Sequence, residues 1–109
     1  WHYGLRLLTE GFFWEAHEIL EPVWLRSAPN SREKHLSQAL IHMANAALKV
    51  KMNRRGAAAR LSTSAQSSLK EAFQGAEPQS VMGLSELSMT RMARECADPG
   101  FEFSSETAV

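Results

Sequence analysis

Apolar positions in this chain recur at intervals of three and four, the spacing that lays them along one side of a helix. Leu5, Leu7 and Leu8 supply the buried side of a short first helix punctuated by Gly4 and Gly11. A second run extends from near Gly11 to about Arg26. At about 100° per residue its Phe12, Ala16, Ile19, Leu20 and Val23 share one face, with Phe13 and Trp24 at the edge. Pro22 removes one backbone hydrogen bond from this run, predicting a kink or a break a turn before its end. Ser27 to Ser31, with Pro29, reads as a loop. Asn30 followed three residues later by Glu33 predicts a capping box opening a third helix. That helix should last to about Met52, with Leu36, Ala39, Leu40, Met43, Ala47 and Val50 on its apolar stripe. Its small residues, Ala39, Ala44, Ala46 and Ala47, allow a close helix–helix approach.

Asn53 suits a left-handed joint or a cap for the next helix. A fourth helix, from Arg55 to about Gln74, repeats Ala58, Leu61, Ala65, Leu69 and Ala72 with Phe73, and Gly75 ends it. Glu77 to Gly83, with Pro78, reads as a loop; Ser85, Glu86 and Leu87 open a last helix to about Ala97, stopped by Pro99-Gly100. The tail from Phe101 to Val109 has no period, although Phe101 and Phe103 are candidates to dock on the body. Strand signals are almost absent. The expected fold is all-α, a compact antiparallel bundle of four to five helices. It forms a single domain over residues 1–109, with a motif-bearing core at 3–75 and a last helix and irregular tail at 76–109.

Composition adds limits. With 109 residues, 44% of them hydrophobic and 22% charged, the chain reads as one ordinary soluble domain. Its first residue is Trp1 rather than methionine, so a short N-terminal piece is expected to precede it. Twelve basic and twelve acidic residues cancel, which argues against a nucleic-acid or membrane partner held by bulk charge. The single cysteine, Cys96, excludes an internal disulfide and a Cys-pair metal site, suits a reducing cytosol, and reads as buried and structural. No apolar run approaches the roughly 18 residues of a membrane span and no secretory signal is visible, so a cytoplasmic location is expected. Met82, Met89 and Met92 read as core filler or as part of a homo-oligomer contact; His2 and His35 receive no role.

The charges are unevenly placed. From Lys34 to Lys70 there are seven basic residues and no acidic one, and Lys49, Lys51, Arg54, Arg55 and Arg60 fall close together. This is either a site for a small anionic ligand beside Gly56 at a helix N-terminus, or attraction between a middle hairpin and its acidic neighbours. No aromatics interleave with the cluster, which argues against stacking on nucleic acid.

The chemistry concentrates in the second helix. His17, Glu21 and Trp24 stand at i, i+4 and i+7 on one stripe, with Trp14 and Glu18 further round the same side. A carboxylate one turn from an imidazole can hydrogen-bond it and hold its tautomer. The same pair can present two ligands to a divalent metal, or simply form a structural cluster at the edge of the core. His17-Glu18-Ile19-Leu20-Glu21 is like the helix of zinc peptidases with Glu21 in place of the second histidine, a harder and weaker zinc set with no recognisable third ligand. On the third helix Gln38, His42, Asn45 and Lys49 form a polar line that can face His17 and Glu21 as a seam or can face solvent. The leading reading is therefore a binding or structural module organised around a His-Glu-Trp cluster. Trp14, Trp24, Gln38, His42 and Asn45 are its candidate binding residues. The alternative is a metal-dependent hydrolase with His17 and Glu21 as ligands, Glu18 or Glu15 as base and Gln38 or His42 on the substrate. A third is the anion-binding module.

The run Gly11-Phe12-Phe13-Trp14-Glu15-Ala16-His17-Glu18-Ile19-Leu20-Glu21-Pro22-Val23-Trp24 resembles the signature of a family of small helical bacterial and plant proteins, the domain of unknown function 309, with its His-x3-Glu-x2-Trp motif. Two further blocks are similar to that family: Ser37-Gln38-Ala39-Leu40-Ile41 with Ala44 to Leu48, and Met52-Asn53-Arg54-Arg55-Gly56-Ala57. Met52 stands where the family usually has glycine, at a tight left-handed turn, and His42 where glutamine is common. The resemblance spans about residues 3–75. It implies an all-helical intracellular protein of no established activity, some of whose relatives carry the label of predicted metal-dependent hydrolase. It also implies that His17, Glu21 and Trp24 act together, with Glu15, Glu18 and Gln38 as neighbours.

Overall fold

A computed structural model describes residues 1–75 and 80–103. Among the described residues five helices follow one another: α1 (His2–Thr9), α2 (Phe13–Arg26), α3 (Arg32–Lys51), α4 (Arg55–Phe73) and α5 (Glu86–Glu95). A two-strand hairpin, β1 (Ser80–Val81) and β2 (Leu84–Ser85), lies between α4 and α5. The all-α bundle expected from periodicity is therefore the observed architecture.

The long helix α3 lies between α2 and α4, with α1 against α2 and α5 against α4. The central helix α3 runs antiparallel to both α2 and α4. Near one end of the α2–α3 pair Lys34 meets Trp24, and further along it Asn45 meets His17; Arg32 at the start of α3 reaches the Gln74 carbonyl just past the end of α4. The central position of α3 follows from its composition. Ala39, Ala44, Ala46 and Ala47 are buried beside Leu36, Leu40 and Met43, so the helix has short side chains toward both neighbours. At the α1–α2 crossing Gly4 does the same work: a Cβ there would stand 2.8 Å from Leu20 Cδ2 and 3.0 Å from its Cγ.

Several local expectations change. Phe12 is not on the apolar face; it precedes the helix as its N-cap residue and is half-exposed, whereas Phe13 is buried. Its carbonyl already accepts the Ala16 N–H, and the first helical residue is Phe13, whereas the pattern put the start near Gly11. Pro22 breaks nothing: α2 is continuous through it. Pro22 and Glu18, whose carbonyl loses its amide partner, both lie on the exposed side, where water can replace the bond.

The cap of α3 is Ser31 rather than Asn30. Ser31 Oγ accepts from the Lys34 N–H at 3.1 Å, while Asn30 sits at φ 61° and turns the chain. Asn53, at φ 60°, takes the left-handed position after α3, one residue beyond Met52. The hairpin is new: two-residue strands carry no alternation to read. Its register pairs Val81 with Leu84, both buried, around a turn in which Met82 and Gly83 have positive φ. The Trp1 indole N–H donates to the Met82 carbonyl at 3.3 Å and ties the N-terminus to this turn. Residues 76–79 of the expected loop and 104–109 of the expected tail lie outside the described residues.

Met89 and Met92 are core residues, and Met82 is half-buried. Phe103 docks as expected, buried against Phe13 (ring centroids 5.9 Å apart) and Phe101 (4.9 Å). Cys96 is fully buried and donates to the Ala93 carbonyl, and desolvation pushes its thiol up to about 11, so it is held as a thiol at neutral pH. No described helix is long and apolar enough to cross a membrane.

Candidate functional site

His17 is the hub. Its Nε2 lies 2.8 Å from Glu21 Oε2, the one-turn contact that the i, i+4 spacing predicts. Its Nδ1 lies 3.0 Å from Asn45 Oδ1 on α3. One member of the α3 polar line thus crosses the helix interface. The cluster is graded in depth, with the imidazole side chain 20% exposed and the Glu21 side chain 51%.

The hydrogen-bond pattern has a definite chemistry. A carboxylate is acceptor-only, so Nε2 carries a proton and donates to Glu21. In the neutral ring Nδ1 then needs a donor, which Asn45 provides when its amide turns its NH2 group inward. In the imidazolium both nitrogens donate, and Asn45 presents Oδ1. Amide orientation and ring charge are therefore linked, and either arrangement satisfies both ring nitrogens.

Trp14 stands beside this relay, its ring 5.7 Å from that of His17 and tilted by 53°. It is 56% exposed, a large aromatic held at the surface next to a hydrogen-bonded imidazole. Glu15 and Glu18 are exposed on α2, with Glu15 in the first turn, where its charge suits the helix N-terminus.

Trp24 shares the stripe but serves another contact. Lys34 Nζ lies 4.7 Å above its ring and donates to the Trp24 carbonyl at 3.0 Å. It also reaches the Ser27 carbonyl at 3.4 Å. One ammonium thus closes the C-terminal end of α2, packs on its tryptophan and anchors both to the first turn of α3. Sequence reasoning missed Lys34, since only the α2–α3 turn makes it a neighbour of Trp24. Gln38, His42 and Lys49 lie half-buried along α3, and the hydrogen bonds of the His17 cluster do not include them. Burial holds the His42 imidazole below its ordinary value.

Among the described residues no group of three His, Cys, Asp or Glu side chains is placed to hold a metal ion. The His17–Glu21 pair offers two potential ligands, Nε2 and a carboxylate, with the Nδ1 of His17 held by Asn45. Of the basic cluster, Arg54, Arg55 and Arg60 are exposed near the start of α4, while Lys51 turns away to lie 4.9 Å over the Phe13 ring. The only ion pair among the described residues is His17–Glu21.

The model of the family described as Domain of unknown function (DUF309) matches residues 1–61. No curated protein and no solved structure matches the chain. The matched segment takes in α1, α2, α3 and the opening of α4, and with them Trp14, His17, Glu21, Trp24, Asn45 and the Met52–Ala57 block. It ends at Leu61, short of the expected limit near residue 75, and leaves out the hairpin and α5. With more than half of its length matched, including the His-x3-Glu-x2-Trp run, the chain belongs to the DUF309 family of domains of unknown function.

Proposed function

We propose that this domain is a non-catalytic binding module in which the Glu21–His17–Asn45 relay fixes α2 on α3 and holds Trp14 outward as a contact residue. The observation that carries the reading is the pairing of a majority-exposed indole with an imidazole satisfied at both nitrogens. Each ring nitrogen of His17 has a protein partner, one on its own helix and one on α3, which suits a post that ties the two helices together. Tryptophans are among the residues that interfaces favour as anchors. A second copy of the chain is the simplest partner to test.

The reading is tested by metal analysis, thermal melting and sedimentation. Protein purified without chelator is expected to carry no stoichiometric metal, and His17→Ala is expected to lower the melting temperature. Trp14→Ala should leave the melting temperature unchanged while abolishing any concentration-dependent association. Stoichiometric zinc, manganese or iron that is lost in His17→Ala would instead sink the purely structural reading and favour the alternative, a hydrolase with His17 and Glu21 as ligands and Glu18 or Glu15 as base.

A second reading, an anion-binding module, is supported by the start of α4. Its first turn contains no acidic residue, and Arg54, Arg55 and Arg60 make no ion pair with a described residue. Phosphate binding that persists in Arg54→Ala/Arg55→Ala would remove these residues from the reading.

A further inference from the structure

The relay leaves unexplained a cleft on another part of the molecule. It has a volume of about 320 Å³, within the range of small-ligand sites. It opens where the α1–α2 turn, the end of α3 and the segment after α5 come together. Phe13, Phe101 and Phe103 form an aromatic wall, and Glu10, Asp98 and Glu102 stand around it. All three carboxylates are exposed, and none forms an ion pair with a described residue. The cleft's own cation, Lys51, already places its ammonium 4.9 Å above the Phe13 ring. Aromatic faces attract ammonium groups through the ring quadrupole, and carboxylates nearby add direct Coulomb attraction.

We infer that this cleft binds an organic ammonium ligand with an apolar body, which would lie on Phe101, the half-exposed ring of the wall, with its charged end toward Glu10, Asp98 and Glu102. The charge balance favours a cation: three carboxylates and one lysine line the cleft, so its rim is net negative. Lys51 marks the kind of group that the wall accepts, and as a like charge it also weakens the entry of a second ammonium.

The test uses 2-phenylethylammonium as probe, with phenylacetate and 2-phenylethanol as the anionic and neutral counterparts, titrated into the full chain at low salt and followed by amide chemical shifts. The ammonium should produce saturable shifts at Gly11, Lys51 and Phe101, weakened by added salt, and phenylacetate should produce none. Neutralising the rim in Glu10→Gln/Asp98→Asn/Glu102→Gln should weaken binding about tenfold, since exposed charge pairs are individually modest but three act together. Lys51→Met should strengthen it. The rim residues are exposed, so the triple variant is expected to fold, which its undisturbed shifts at His17 and Asn45 would verify. No saturable shifts with the ammonium, equal binding of the alcohol, or binding indifferent to the triple variant would each overturn the assignment.

Discussion

His17 and Asn45 lie on different helices with Nδ1 and Oδ1 3.0 Å apart, and this bond joins the motif helix to the centre of the bundle. A half-buried polar contact of this type contributes about 1 kcal/mol net, and more is lost when one partner is left unsatisfied. Asn45→Ala and His17→Ala are each expected to destabilise the fold by about 1–2 kcal/mol. Urea denaturation of the double variant should show a coupling of about 1 kcal/mol. Strictly additive losses would mean that the two side chains do not interact.

Gly4→Ala tests the α1–α2 crossing. Alanine is the better helix former by about 1 kcal/mol, so propensity alone predicts stabilisation. The new Cβ would press on the Leu20 side chain, which is fully buried in the core. Overpacking should win, with a net loss of about 1–3 kcal/mol in chemical denaturation. A rise in stability would show that α1 can shift outward without cost.

Lys34→Met keeps the length of the stem and removes the charge. It loses the bonds to the Trp24 and Ser27 carbonyls and the contact with the indole face. A loss of about 1 kcal/mol is expected. Hydrogen exchange should rise in the α2–α3 turn and stay unchanged at the α4–α5 interface.

His42 makes stability depend on pH. Burial holds its folded-state value below the ordinary 6.5, while the unfolded chain titrates at the ordinary value. Between these two values the unfolded state binds more protons, so stability falls as the pH falls below 6.5. Above that window both states carry a neutral ring and the effect is absent. His42→Gln should flatten this part of the pH profile relative to the parent chain; identical profiles for the two proteins would remove His42 from the account.

Much of the bundle was legible from the chain because helical periodicity is a local property. The spacing of Leu36, Leu40 and Met43 belongs to one helix and needs no knowledge of its neighbours, and Gly75, at φ 67°, ends α4 where expected. The misreadings occurred where one residue had two plausible local roles. Asn30 and Ser31 are both good caps, and Phe12 and Phe13 are both apolar; which of each pair serves depends on where the preceding turn delivers the chain. The hairpin was invisible because Val81 and Leu84 are too few to show a period, and their burial comes from docking on the bundle.

Residue order with about 3.6 residues per turn was enough to read the helices and to set Glu21 one turn from His17, and the motif blocks were enough to read the family. Tertiary structure decided the rest: that Asn45 rather than Gln38 or His42 meets His17, that Lys34 takes Trp24, and that Lys51 leaves the basic cluster for Phe13. The relative offset and rotation of packed helices are set by how their surfaces interlock, and side chains far apart in the chain become partners only after that choice is made.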